Sequence, residues 1–348
     1  MMEILFLPLD DRPCNRIHPA LVLEGAGLRV LSPPRSWLGR FLLPGRPDLL
    51  VPWLRSHAGQ AHHLLVSLEM LCYGGLIGSR SPALSAAEAR KRLAVLAELK
   101  RASPGLRIWA GNILQRLSTT VTDPDTLDHW RNIFAWSVLG GKQQAAPSPA
   151  QQVELEALER KIPAPLLASY RACRERNHAV NRAALELAAA GVLEHLVLGQ
   201  EDCAPFGPHR REQASLTEEI SRLHLEDRVT LLNGADEIGT LLAGRILAEE
   251  GWPVPCFTPV FHHPAFRRAV LPYEDLPLED NWARHLAVLG TAGGPTVSCY
   301  VHHPPAHGLP REETDLALLA SPPDAPPDDF SRELARRLEQ GDRLALLD

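Results

Sequence analysis

Short, continuous apolar runs recur along the chain, separated by stretches long enough for helices, and this alternation constrains the fold more than any other feature. The runs are 3–9 (EILFLPL), 28–32 (LRVLS), 63–68 (HLLVSL), 106–110 (LRIWA), 195–199 (HLVLG), 228–232 (RVTLL), 255–261 (PCFTPVF), 296–301 (TVSCYV) and 343–347 (RLALL). Most do not alternate apolar with polar residues, which predicts strands buried on both faces of a parallel sheet. Helices are expected over Ser85–Lys100, where Ser85 and Glu88 form a capping box, and over Ala164–Ala190, which Gly191 stops. Ala235–Glu250 and Phe330–Glu339 read the same way.

Strand, loop and helix in repeated order predict an α/β protein with a mainly parallel sheet. The number of strands favours a (β/α)8, TIM-barrel-like closure over the alternative, an open doubly wound sheet. One catalytic domain is expected over residues 1–302, with a helical insert at about 120–165. Residues 303–348 read as a Pro-rich loop followed by a final helix and strand. The last strand breaks off at its loop, as if the chain were shortened.

Charge and cysteine usage narrow the function. The 348 residues carry 36 Lys+Arg against 42 Asp+Glu, a formal net charge of −6. A surface for nucleic acid or anionic lipid needs a dense basic face, so neither partner is expected. No apolar run reaches the roughly 18 residues of a membrane span. The N-terminus reads as a core strand rather than a leader, and the six cysteines form no C-x-x-C pair. A cytoplasmic protein with reduced thiols follows as the expectation.

In parallel α/β folds, ligands bind beyond the carboxyl ends of the strands. Here those ends are charged: Asp10, Asp11, Arg12 and Asn15 follow the first run, and Glu69, Tyr73 and Arg80 the third. Asn112 and Arg116 follow the fourth, Gln200, Glu201, Asp202 and Arg211 the fifth, and Asp236 and Glu237 the sixth. Each group alone has a structural explanation. Asp10 and Asp11 would cap a turn beside Arg12, Glu201 and Asp202 would cap a helix, and Asp236 and Glu237 would complement a helix dipole. Arriving together at one rim, they predict a site.

Paired carboxylates suit glycoside cleavage, in which one acid is held protonated and a second carboxylate faces the anomeric carbon. The expected catalytic acids are Glu201 or Asp202, with Asp10, Asp11 or Glu69 as partner. Arg12, Asn15, Tyr73, Arg80, Asn112, Arg116, Gln200, Arg211, Asp236 and Glu237 are the expected substrate-binding residues. The substrate would be a small molecule or an oligosaccharide, with N-acetylated sugars suiting the Glu201–Asp202 pair. Two other readings are a metal-dependent hydrolase or lyase using the same aspartates with His262 or His302, and a carbohydrate- or metabolite-binding protein without turnover.

No cofactor and no metal is expected. The chain has no G-x-G-x-x-G or Walker loop, no G-x-S-x-G elbow and no H-E-x-x-H, and His62-His63 precedes its strand. Cys14 and Cys203 lie beside carboxylates, which disfavour a thiolate nucleophile.

Four stretches carry a resemblance: PLDDRPCN (8–15), SLEMLCYGGLIGSR (67–80), GQEDCAPFGP (199–208) with Arg210, Arg211 and Glu212, and GADE (234–237). In order and spacing the chain resembles the DUF4127 family of bacterial proteins. Two departures keep acidity but add a methylene of reach. Glu69 and Glu201 stand where the family usually has Asp. The resemblance implies a chain that continues past a strand like 343–347, and it implies no activity.

Overall fold

The structure is a computed structural model. It describes residues 2–122, 124–253, 257–261 and 264–290, and the strand segments 300–301, 316–320 and 344–347. The first unit comprises Met1–Leu247 with Tyr273–Asp275. It runs β1 (Glu3–Leu7), α1 (Pro13–Arg16), α2 (His18–Gly25), β2 (Arg29–Leu31), α3 (Pro47–His57), β3 (His63–Ser67) and α4 (Leu68–Tyr73). It continues α5 (Ala86–Leu93), α6 (Val95–Ala102), β4 (Arg107–Leu114), α7 (Leu127–Ala145), α8 (Pro149–Lys161) and α9 (Ala164–Ala189). β5 (His195–Gln200), α10 (His209–Arg222), β6 (Val229–Asn233) and α11 (Ile238–Glu249) follow, the last ending in the second unit.

The six strands form one all-parallel sheet in the order β2-β1-β3-β4-β5-β6. This corrects the leading expectation of a closed barrel. A barrel pairs strands in sequence, whereas here β3 docks on the far side of β1 from β2, so the strand order reverses and the sheet is open. The count of apolar runs carries no information about that reversal. In open sheets ligands generally bind where the strand order reverses, which in this order is beyond the carboxyl ends of β1 and β3.

Both faces are covered, as the unbroken apolar runs require. Leu5, Leu7, Leu64, Val66, Ile108, Ala110, Leu196 and Leu198 are buried in the core with residues of α3 through α6, α9 and α10. On the opposite face α11 comes unusually close. A Cβ on Gly111 of β4 would lie 2.5 Å from Cγ2 of Ile238, so glycine there sets the helix-to-sheet distance. The expected helix over 85–100 is instead two, α5 and α6, meeting at Ala94.

The second unit comprises Ala248–Pro272 and Leu276–Asp348. Its strands β7 (Phe257–Phe261), β8 (Tyr300–Val301), β9 (Leu316–Ala320) and β10 (Leu344–Leu347) pair in parallel in the order β10-β9-β7-β8, with α12 (Leu278–Val288) between β7 and β8 in sequence. β9 lies inside the stretch read as a Pro-rich loop. The expected helix Phe330–Glu339, and His262 and His302, lie outside the described residues. Among the described residues no helix is long and apolar enough to cross a membrane.

Candidate functional site

The loops after β1, β3, β4, β5 and β6 all leave the same end of the parallel sheet, and their polar side chains sort into three groups. The first joins β1 to β6. Oδ1 of Asp10 accepts the backbone N–H of Arg12 at 3.0 Å, which turns the chain back after the strand. Arg12 then donates from Nε to Asp10 (2.9 Å) and in fork geometry to both oxygens of Asp236 (2.7 and 2.6 Å). Asn15 bridges the same two carboxylates at 2.9 and 3.2 Å. Burial disfavours the Arg12 charge, but its bonds to Asp10 and the charges of Asp10 and Asp236 outweigh that and hold it above the usual guanidinium range. Asp11 turns to Arg35 at 3.0 Å. The carboxylate of Glu237 folds back onto Gly234.

The second group lies after β3, β4 and β5. Ser67 caps α4 by accepting from Met70 N at 3.4 Å, and the short helix carries Glu69 inward, 2% exposed. At its far end Gly75 (φ +112°) passes against the loop after β1, where a Cβ would stand 3.1 Å from the Leu9 carbonyl. Glu69 accepts the Ile113 N–H at 2.8 Å. Burial, opposed by hydrogen bonds from the backbone of Ile113 and of Glu69 itself and reinforced by the charge of Glu201, raises its pKa to about 8.

The neighbouring amides fit a neutral acid. Asn112 donates to Asn181 Oδ1 at 2.5 Å, and Asn181 donates to the Ile113 carbonyl at 3.4 Å. That leaves the Asn112 amide oxygen 2.9 and 2.8 Å from the two Glu69 oxygens. Two acceptors face each other there unless Glu69 carries a proton to donate, or the Asn112 amide is turned over. The proton is the simpler solution, because turning Asn112 alone would bring its oxygen onto Oδ1 of Asn181.

Glu201 and Asp202 are held differently. Arg80 pairs with Glu201 and Arg116 with Asp202, both in close contact, and Arg116 also stands 3.8 Å from Glu201. Arg80 anchors on Thr120 at 2.9 Å. One buried oxygen of Glu201 has no hydrogen-bond partner. Gln200 donates to the Glu201 carbonyl at 2.6 Å. Of the expected acids Asp10, Asp11, Glu69, Glu201 and Asp202, only Glu69 has no guanidinium partner among the described residues.

A cavity lies under α11 at this end of the sheet, with Asn15, Ser67 and Glu69 as its polar lining and Phe6, Leu65 and Ile238 among its walls. It brings the β1 loop and Glu69 into one space. Tyr73 packs in the core with Arg176 over its ring at 4.6 Å, and Arg211 is exposed on the first turn of α10.

The scaffold for these loops is a polar stripe on α9, a helix that the sequence analysis located without singling out its polar residues. Arg174 caps the carbonyls of Gln115 and Arg116, both at 2.9 Å, and pairs with Glu212 at 2.8 Å. Asn177 binds the Ser79 carbonyl and Gln115 Oε1, at 2.8 and 3.0 Å. Arg174, Asn177 and Asn181 recur at helical spacing, which was a readable signal.

The third group was also missed. Cys203, His209 and Asp275 lie fully or nearly buried after β5, at the start of α10 and on the returning segment 273–275. Burial raises the Cys203 thiol, and the charges of Asp275 and Glu274 add to this. Asp275 is held well below the usual carboxylate range: burial opposes this, but bonds from His209, Arg210, Asn233 and Gln213 win. These three residues are the set among the described residues whose donor atoms could share a metal ion.

None of the curated proteins matches the chain. The family model described as "Protein of unknown function (DUF4127)" matches residues 4–348, and with nearly its whole length inside that model the chain belongs to the DUF4127 family.

Proposed function

We propose that the chain is a hydrolase of glycosidic bonds in which Glu69 donates the proton to the leaving oxygen. The observation that carries this reading is a carboxyl with a pKa raised to about 8, lining a cavity while the acids around it are paired with arginines. A general acid must hold its proton near neutral pH, and two carboxyls in contrasting surroundings are the usual way to divide acid from partner. The roles therefore reverse the order expected from sequence. Glu69 is the acid, and Glu201, whose charge acts on Glu69, is the partner carboxylate. Asn15 and Ser67 are placed to bind hydroxyls of the sugar. The substrate is a small glycoside or oligosaccharide met in the cytoplasm, without nucleic acid.

The test compares wild type with Glu69→Gln on aryl glycosides of graded leaving-group acidity. Loss of the acid should cut turnover of a poorly activated glycoside by about 10²–10⁴-fold. It should spare a dinitrophenyl glycoside, whose leaving group needs no proton. Equal rates for the two proteins on the poorly activated substrate, or no turnover of any glycoside by wild type, would overturn the reading.

A further inference from the structure

Beyond the Glu69 cavity, and independent of what happens there, three donors of graded softness converge where β5 and β6 end. A ligand atom from each of Cys203, His209 and Asp275 lies within 4.8 Å of the others. The His209 ring is 0% exposed; its Nε2 stands 3.1 Å from Oδ2 of Asp275, while Nδ1 has no hydrogen-bond partner. A buried imidazole nitrogen without a partner is costly unless something else takes its lone pair.

We propose that Cys203, His209 and Asp275 bind a divalent cation of the zinc class. Thiolate, imidazole and carboxylate together are the donor set of zinc, whereas magnesium and calcium select oxygen alone. The surroundings are those of a ligand shell held in place. Asn233 donates to Oδ1 of Asp275 at 2.8 Å and lies 3.5 Å from the Cys203 sulfur. Arg210 donates to Oδ2 at 2.7 Å and is itself half exposed, so much of its charge stays in solvent. Each carboxylate oxygen has a second lone pair for a metal, and outer hydrogen bonds of this kind orient ligating groups. Three protein ligands leave a fourth tetrahedral position that a water can fill. The alternative use of the trio, a nucleophilic cysteine triad, fails on access: Cys203 is 0% exposed.

The experiment uses the full chain without a tag, stripped by chelator and titrated with zinc and with cobalt. One zinc per chain is expected at micromolar concentration, and the cobalt form should show tetrahedral d–d bands with a thiolate-to-cobalt charge-transfer band in the near ultraviolet. Cys203→Ser should abolish that band, and Asp275→Asn should weaken zinc binding at least about tenfold. Cys14→Ser should change neither. If the stripped wild-type chain binds neither ion, if its cobalt spectrum has no thiolate band, or if Cys203→Ser leaves the band intact, the proposal is wrong.

Discussion

Glu69 offers a prediction that needs no substrate. Its carboxyl titrates at about 8 in the folded chain against 4.5 ordinarily. Below pH 4.5 both folded and unfolded chains hold the proton, and stability is unaffected by this group. Between the two values the folded chain keeps the proton while the unfolded chain releases it. Stability therefore falls with rising pH, by about 1.4 kcal/mol per pH unit, and levels off above pH 8. The shift from 4.5 to about 8 corresponds to a total loss of about 5 kcal/mol, of which about 3 is already spent at pH 7. Glu69→Gln removes the titration while keeping an oxygen for the Ile113 N–H and supplying an amide donor to the Asn112 oxygen. Urea unfolding from pH 5 to 9, followed by tryptophan fluorescence and circular dichroism, isolates the group as the difference between two curves. Wild type should lose stability relative to Glu69→Gln across that interval, and the variant should be the more stable protein at pH 9. Parallel curves would refute the buried neutral acid.

The ion pairs of the site should separate by burial. Glu201→Gln leaves Arg80, whose side chain is 7% exposed, without its counter-charge and should cost about 3 kcal/mol in urea unfolding. Asp236→Asn weakens a fork whose partners are 45% and 42% exposed, and should cost less than about 1 kcal/mol by the same measurement. Gly111→Ala places a Cβ 2.5 Å from Ile238 and should lower stability by about 1–3 kcal/mol. Adding Ile238→Ala should recover part of that loss, so that the double variant is less destabilised than the sum of the two single changes.

The chemistry-bearing loops were legible because they follow strands whose apolar runs are unmistakable. Once β1, β3, β4, β5 and β6 are parallel, Asp10, Glu69, Asn112, Glu201 and Asp236 must emerge at one end. Which of them holds its proton near neutral pH was not legible. The sequence reading put the proton on Glu201 or Asp202, but Arg80 and Arg116 come from other loops and pair with both. Glu69 is set apart by the absence of such a partner among the described residues and by the desolvation that neighbouring elements impose. The trio of Cys203, His209 and Asp275 was hidden for a similar reason: Asp275 reaches the others only because segment 273–275 returns to the first unit.

The sequence by itself determined the alternation of strand and helix, the two-sided burial of the sheet and the acidic character of its carboxyl end, because hydropathy and local spacing act within a few residues. The tertiary structure alone decided that the sheet is open, with β2 outside β1, and which carboxyls meet arginines. Strand order and proton affinity depend on what lies beside a residue in space, and those neighbours come from distant parts of the chain.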